Sequence, residues 1–264
     1  MKTEEKEKKY TTQLQAGLGI LNETKLLLDI WEPGMESKQL REKALSEGFF
    51  PNVSARRLKN IVDEAFATRY LVEGQKPAKY VSYFKENLSR EAFKQITLLY
   101  TCRANLILKD FIRFVYWPKY GAGVDTITRD DSRRFVMDAV REGYTQNVWA
   151  DSTIKRVSSY LLGACGDFGL LENSKGYHRK ILSFRIESEM AAFLAYELHF
   201  SGIGDNSVIS DSDWEIYGLK EMDVKELFKQ MALQGHLIFQ STAKAVKISW
   251  KYEEMDELLN VITE

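Results

Sequence analysis

The helical spacing of the apolar residues is the feature of this sequence that most restricts its fold, and only four prolines interrupt it in 264 residues. Leu58, Ile61 and Phe66 share one side of a helix predicted over residues 55–70. Similar stripes recur up to residue 125, and one of them, from Leu14 to Leu28, predicts a continuous helix. We therefore predict a mainly α protein that begins with a helical bundle, residues 1–125.

Residues 126–188 have a different pattern. Helices are predicted over Thr128 to Arg141 and from Asp151 to Cys165. Leu182, Phe184 and Ile186 then alternate with polar residues, which indicates a strand over 179–186 that pairs with Gly169 to Glu172 around a tight turn. Two helices followed by a hairpin is the order of a winged helix-turn-helix, so we predict a winged-helix-like DNA-binding segment.

Residues 189–264 predict a small α+β unit. Met222 to Leu233 has a helical pattern, and Leu237 to Phe239 and Val246 to Trp250 are predicted to pair as strands. A last helix is expected over Glu253 to Ile262. We expect this acidic unit to pack against the rest of the chain or to bind a partner.

The net charge of −1 hides an asymmetry along the chain. Residues 51–185 carry 23 basic and 14 acidic side chains, a net +9, whereas residues 186–264 carry 6 and 15, a net −9. A basic segment within a neutral chain favours nucleic-acid binding, because lysines and arginines that contact phosphates release condensed counterions. The charge counts alone also allow the two regions to face each other.

The positions of residues around the predicted helices identify candidate DNA contacts within the basic region. In the helix from Asp151 to Cys165, Gly163 and a set of small, polar and basic residues lie opposite the apolar stripe, as a helix in the DNA major groove requires. A basic hairpin turn would reach phosphates, and the preceding helix and an earlier helix N-terminus add further cations. The predicted DNA-binding residues are Ser152, Lys155, Arg156, Ser159, Lys175, His178, Arg179, Lys180, Arg129, Arg133, Arg134, Arg56, Arg57 and Lys59.

The sequence indicates no catalysis. It contains no glycine-rich phosphate loop, nucleophile elbow or paired metal-ligand motif, and its three histidines are scattered. Cys102 and Cys165 stand among apolar residues and are interpreted as reduced core thiols. We expect no enzyme activity, cofactor, metal or small-molecule substrate. The longest charge-free runs are too short and too polar to span a bilayer, and no secretory signal is recognisable, so we expect a cytoplasmic protein without membrane association.

Several stretches resemble the BrxA family of type 1 bacteriophage-exclusion (BREX) systems. They are Tyr10-Thr-Thr-Gln-Leu-Gln-Ala-Gly-Leu, Glu23-Thr24 to Leu28, Trp31-Glu-Pro-Gly, Ser54-Ala-Arg-Arg and Arg69-Tyr70-Leu71. The resemblance implies a mainly helical fold, part of it similar to the antitermination factor NusB, and binding of double-stranded DNA beside other BREX proteins. It assigns no binding residue. Two alternatives stay open: a protein-interaction adaptor within the defence complex, and an RNA-binding NusB-like factor.

Overall fold

The computed structural model describes residues 9–16, 18–242 and 245–263, and in this part the chain is mainly helical. The α-helices are α1 (Leu21–Ile30), α2 (Ser37–Ser46), α3 (Ala55–Lys59), α4 (Ala67–Tyr70), α5 (Lys76–Asn87), α6 (Arg90–Ala104), α7 (Leu106–Phe111), α8 (Trp117–Gly121), α9 (Arg129–Arg141), α10 (Asp151–Asp167), α11 (Ser188–Phe200), α12 (Asp205–Ile209), α13 (Glu221–Leu233) and α14 (Met255–Val261). The strands are β1 (Thr126–Thr128), β2 (His178–Lys180), β3 (Leu237–Ser241) and β4 (Val246–Trp250).

The chain divides into two compact units. The first comprises Met1–Ser82 and Thr97–Phe184, and the second comprises Tyr83–Ile96 and Arg185–Glu264. The predicted boundary at residue 125 lies inside the first unit, and the second unit takes a segment from the middle of the sequence. The division into domains 1–125, 126–188 and 189–264 stays a prediction, because one compact unit can contain more than one domain.

The continuous helix predicted from Leu14 to Leu28 is wrong. Leu14 lies in a 3₁₀ turn, Leu18 and Ile20 have positive φ angles of 50° and 39°, and α1 begins only at Leu21. A tertiary contact accompanies the break, since the Gly19 N–H donates to the Asp167 carboxylate at 3.0 Å. The apolar spacing predicted the buried face correctly at Leu14, but not the continuity of the helix.

The helix predicted over residues 55–70 is confirmed. Ser54 caps it by accepting a hydrogen bond from the Arg57 N–H at 3.2 Å. The helical backbone then runs through α3, a π-helical stretch (Asn60–Phe66) and α4. The predicted stripe, which includes Leu58 and Phe66, is buried.

The hairpin predicted after α10 is shorter than expected. Its backbone pairing consists of hydrogen bonds from Glu172 N to Lys180 O (2.8 Å) and from Leu182 N to Leu170 O (3.0 Å). The other edge of β2 pairs antiparallel with β1, with Ile127 opposite Arg179. β2 therefore lies between β1 and the residues that follow α10, and no strand continues to residue 186.

The second unit contains the predicted helix and strand pair. α13 spans the predicted residues, and β3 pairs antiparallel with β4, with Phe239 opposite Ile248. The Asp205 carboxylate accepts the Ile248 N–H at 2.8 Å, which satisfies a donor on the outer edge of β4. Within the described ranges, no helix is both long and apolar enough to cross a membrane.

Candidate nucleic-acid interface

The local sequence of α9 fixes where this helix begins. Thr128 accepts the Asp131 N–H at 3.1 Å, and Asp131 accepts the Thr128 N–H at 2.9 Å, which is a reciprocal capping box. Ser132 then donates to the Ser158 carbonyl at 2.9 Å and links α9 to α10. Hydrogen bonds thereby link β1 to α9 and α9 to α10.

α10 presents the polar face that its sequence predicts. Val157 and Leu161 are buried, while the residues on the other side are exposed. The exposed residues of the predicted set on this helix are Ser152, Lys155, Arg156 and Ser159. Gly163 has a different role from the one expected: a Cβ there would lie 3.2 Å from the Leu18 side chain, so the small residue allows close packing within the protein.

The turn between α10 and β2 carries one exposed member of the predicted set, Lys175, and β2 carries two more, His178 and Lys180. Arg179 differs from them. It is 8% exposed, because strand alternation directs it inwards, and its Nη1 donates to the Leu162 carbonyl at 2.9 Å. Arg179 is thus buried and not exposed at the hairpin turn as predicted, and its role as a DNA contact stays a prediction.

A cleft of about 480 Å³ lies between α9, α10 and the residues of β2, and we call it the α9–α10 cleft. It brings together five of the predicted residues from three parts of the sequence. They are Arg129, Arg133, Lys155, Ser159 and Arg179. The remaining lining residues are Asp130, Ser158, Leu162 and Tyr177.

Asp151 neutralises part of the charge beside this cleft. Its carboxylate pairs with Arg133 at 2.6 Å and with Lys155 at 2.9 Å. The hydrogen bond from Lys155, with a further one from Arg133, holds the pKa of Asp151 below its ordinary value. Arg129 instead donates to the Lys175 backbone carbonyl, so this contact leaves its charge without a carboxylate partner.

Tyr177 and Asp130 line the α9–α10 cleft but are not among the residues predicted from the sequence. The Tyr177 hydroxyl donates to the Asp130 carboxylate and joins the turn before β2 to the first turn of α9. This hydrogen bond is the main cause that raises the pKa of Tyr177. An aromatic residue between Lys175 and His178, within a basic turn, was the available signal.

Four predicted residues lie neither in the α9–α10 cleft lining nor on α10, the turn before β2 or β2 itself. Arg134 is exposed on α9 and lines a second groove, about 360 Å³ in volume, together with Phe114 and Lys119. The other three are exposed on α3 and are Arg56, Arg57 and Lys59. α3 thus carries the predicted basic group, but none of its three residues lines the α9–α10 cleft.

Comparison with known proteins identifies the family. The sequence model of the BrxA family matches residues 8–197. No curated protein matches this chain. A crystal structure of an uncharacterized protein from Magnetospirillum magneticum is similar in fold, with a TM-score of 0.58 and 17% identity over 73% of this chain and 95% of that one.

The family match extends over most of the chain and includes the N-terminal helices, α9, α10 and β2. Proteins of this family are components of BREX systems, which exclude bacteriophages. The chain belongs to the BrxA family and is a component of a BREX phage-defence system.

Proposed function

We propose that this protein is a non-enzymatic, double-stranded DNA-binding component of its BREX system. The observation that carries the proposal is the exposed face of α10, where Ser152, Lys155, Arg156 and Ser159 lie beside the basic α9–α10 cleft. An α-helix fits the major groove of B-form DNA, where long donors reach guanine edges and phosphates. In this proposal, α10 is the recognition helix of a winged-helix segment.

Basic residues in the turn before β2 and in β2 also support the proposal that this segment binds DNA. Lys175, His178 and Lys180 are exposed on the chain that follows α10. In a winged helix, cations in this position contact the sugar-phosphate backbone and fix the register of the recognition helix without reading sequence. The net +9 of residues 51–185 agrees with a surface that binds a polyanion.

Titration of the full chain with duplex DNA at several salt concentrations tests the proposal. About six phosphate contacts would give a slope of log K against log salt near −5. The double variant Lys155→Glu/Arg156→Glu should bind about tenfold or more weakly, because it places negative charge on the recognition face. Arg141→Glu is the matched control, since Arg141 is 71% exposed at the end of α9 and lies outside the proposed contacts.

Equal binding by the Lys155→Glu/Arg156→Glu and Arg141→Glu variants would contradict the proposed face, and absence of salt-dependent binding would contradict DNA binding itself. Competition with duplex RNA of the same sequence distinguishes the RNA-binding alternative. The major groove of A-form RNA is too narrow for a recognition helix, so we expect DNA to compete better.

A protein-interaction adaptor is the second candidate, and the surface of α13 favours it. Met222 is 67% and Leu233 is 90% exposed, in a unit rich in acidic residues. Contiguous apolar patches rimmed by polar residues mark partner-binding sites, and in this proposal Met222 and Leu233 belong to such a patch. Other BREX proteins are the proposed partners. The substitutions Met222→Ser and Leu233→Ser should weaken their co-purification while leaving duplex affinity unchanged.

A further inference from the structure

The lining of the α9–α10 cleft has an excess of positive charge. Four of its residues are cationic, Arg129, Arg133, Lys155 and Arg179, and its one carboxylate is Asp130. That carboxylate already accepts the Tyr177 hydroxyl hydrogen bond. A concave surface with one sign of charge concentrates ions of the opposite sign.

Arg179 is the most buried of these four cations. The side chain is 8% exposed, and its Nη1 donates to the Leu162 carbonyl at 2.9 Å. Its Nε is buried and has no acceptor, and among the described residues no carboxylate forms an ion pair with this guanidinium. A buried donor without an acceptor destabilises the fold, so the folded chain retains an unsatisfied N–H donor on Arg179.

The charges around Arg179 include one cation and one carboxylate. Burial lowers the pKa of the Arg179 guanidinium and the nearby Arg129 cation acts in the same direction, whereas Cys165 and the Asp167 carboxylate oppose this shift. Arg129 itself bonds to the backbone carbonyl of Lys175. Lys155 shares the Asp151 carboxylate with Arg133, so one negative charge serves two cations.

We propose that the α9–α10 cleft binds one phosphate group, with Arg179 at its floor and Arg129 and Lys155 at its rim. The planar guanidinium of arginine matches phosphate oxygens through parallel N–H donors. The inference rests on the proposed function, in which this phosphate belongs to the backbone of the bound duplex. The α9–α10 cleft would thus hold one DNA strand between α10 and the turn before β2.

A shared phosphate has a measurable consequence. If Arg129 and Lys155 hold the same phosphate as Arg179, the double variant Arg129→Gln/Lys155→Gln loses at most one contact, and the salt slope for duplex DNA becomes shallower by no more than about 0.9. If each residue held its own phosphate, the loss would be about twice as large. Arg141→Gln is the control and should leave the slope unchanged.

Nuclear magnetic resonance of the arginine Nε–Hε groups tests the floor of the α9–α10 cleft directly. Inorganic phosphate, adenosine 5′-monophosphate and a short duplex are added separately to the full chain, with sodium chloride at matched ionic strength as the reference. We expect the Arg179 signal to shift with each phosphate compound, and more than the Arg141 signal. Arg179→Gln removes that signal and identifies it, and Arg129→Gln provides a second variant if Arg179→Gln does not fold.

The outcomes separate this inference from the proposed function. Duplex binding with an unchanged slope in the double variant, and no Arg179 shift, would overturn the phosphate site while DNA binding stands. A shift with the mononucleotide but no duplex binding would assign the α9–α10 cleft to free nucleotides and contradict the proposed function. No shift and no duplex binding would overturn both.

Discussion

Arg179 and Lys180 are neighbours in β2 and have opposite surroundings. Arg179 is buried and donates to the Leu162 carbonyl, whereas Lys180 is exposed. Successive side chains of a strand point to opposite faces, so adjacent basic residues in a strand cannot both lie on one exposed surface. At the scale of the residue, this strand geometry determines which cation is buried and hydrogen-bonded within the fold and which is exposed.

We expect Arg179→Ala to lower the free energy of unfolding by about 1–3 kcal/mol, because the buried Leu162 carbonyl loses its donor. Lys180→Ala should change it by no more than about 0.5 kcal/mol, since it alters only an exposed side chain. Urea denaturation of both variants measures the difference. Equal stabilities would show that the hydrogen bond from Arg179 contributes little to the fold.

At the scale of the element, the capping box of α9 ties the start of the helix to β1. Partial burial alone would raise the pKa of Asp131, but the hydrogen bonds from Thr128 and Lys119 hold that pKa below its ordinary value of 3.8. The ionised carboxylate is thus favoured in the folded state. Its contribution to stability is present above pH 3.8 and is lost as the pH falls through the folded-state pKa.

Asp131→Asn should therefore destabilise the protein near neutral pH, and the difference from the wild type should shrink as the medium becomes more acidic than the ordinary carboxyl pKa. Thr128→Ala removes the other half of the cap and should cost about 1 kcal/mol. Urea denaturation at pH values from neutral to below the ordinary carboxyl pKa measures both effects. A difference between Asp131→Asn and wild type that does not vary with pH would contradict the role of the ionised carboxylate.

At the scale of the whole molecule, the second unit depends on a segment from the middle of the sequence. Phe84 packs edge-on against Phe193, with ring centroids 5.2 Å apart. Gln95 donates to the Arg185 carbonyl at 2.8 Å and accepts the Glu187 N–H at 2.9 Å. Residues 83–96 are thus held by contacts with residues 90 or more positions later in the sequence.

A chain that ends at Phe184 should consequently be less stable than the full chain. Phe84 and Phe93 would lose the apolar environment that buries them, and exposed apolar surface binds the dye ANS. We expect a lower unfolding midpoint and stronger ANS fluorescence than for the full chain. A truncated chain with an unchanged midpoint and no dye binding would show that residues 83–96 are stable without residues 185–264.

The sequence by itself determined the mainly helical class, the Ser54 cap and the exposed polar face of α10. These features depend on neighbours within one or two helical turns, which the order of residues specifies directly. It also predicted the pairing of β3 with β4, because a short connection leaves few alternatives.

Only the tertiary structure decided three features: the break before α1, the pairing of β2 with β1, and the burial of Arg179. Leu14 to Leu28 keeps its helical spacing, but the turn that contains Gly19 packs against Asp167, almost 150 positions later in the sequence. The alternation of apolar and polar residues likewise predicts an extended segment but does not identify the strand with which it pairs. Such choices depend on contacts between distant residues, and a local pattern carries no information about them.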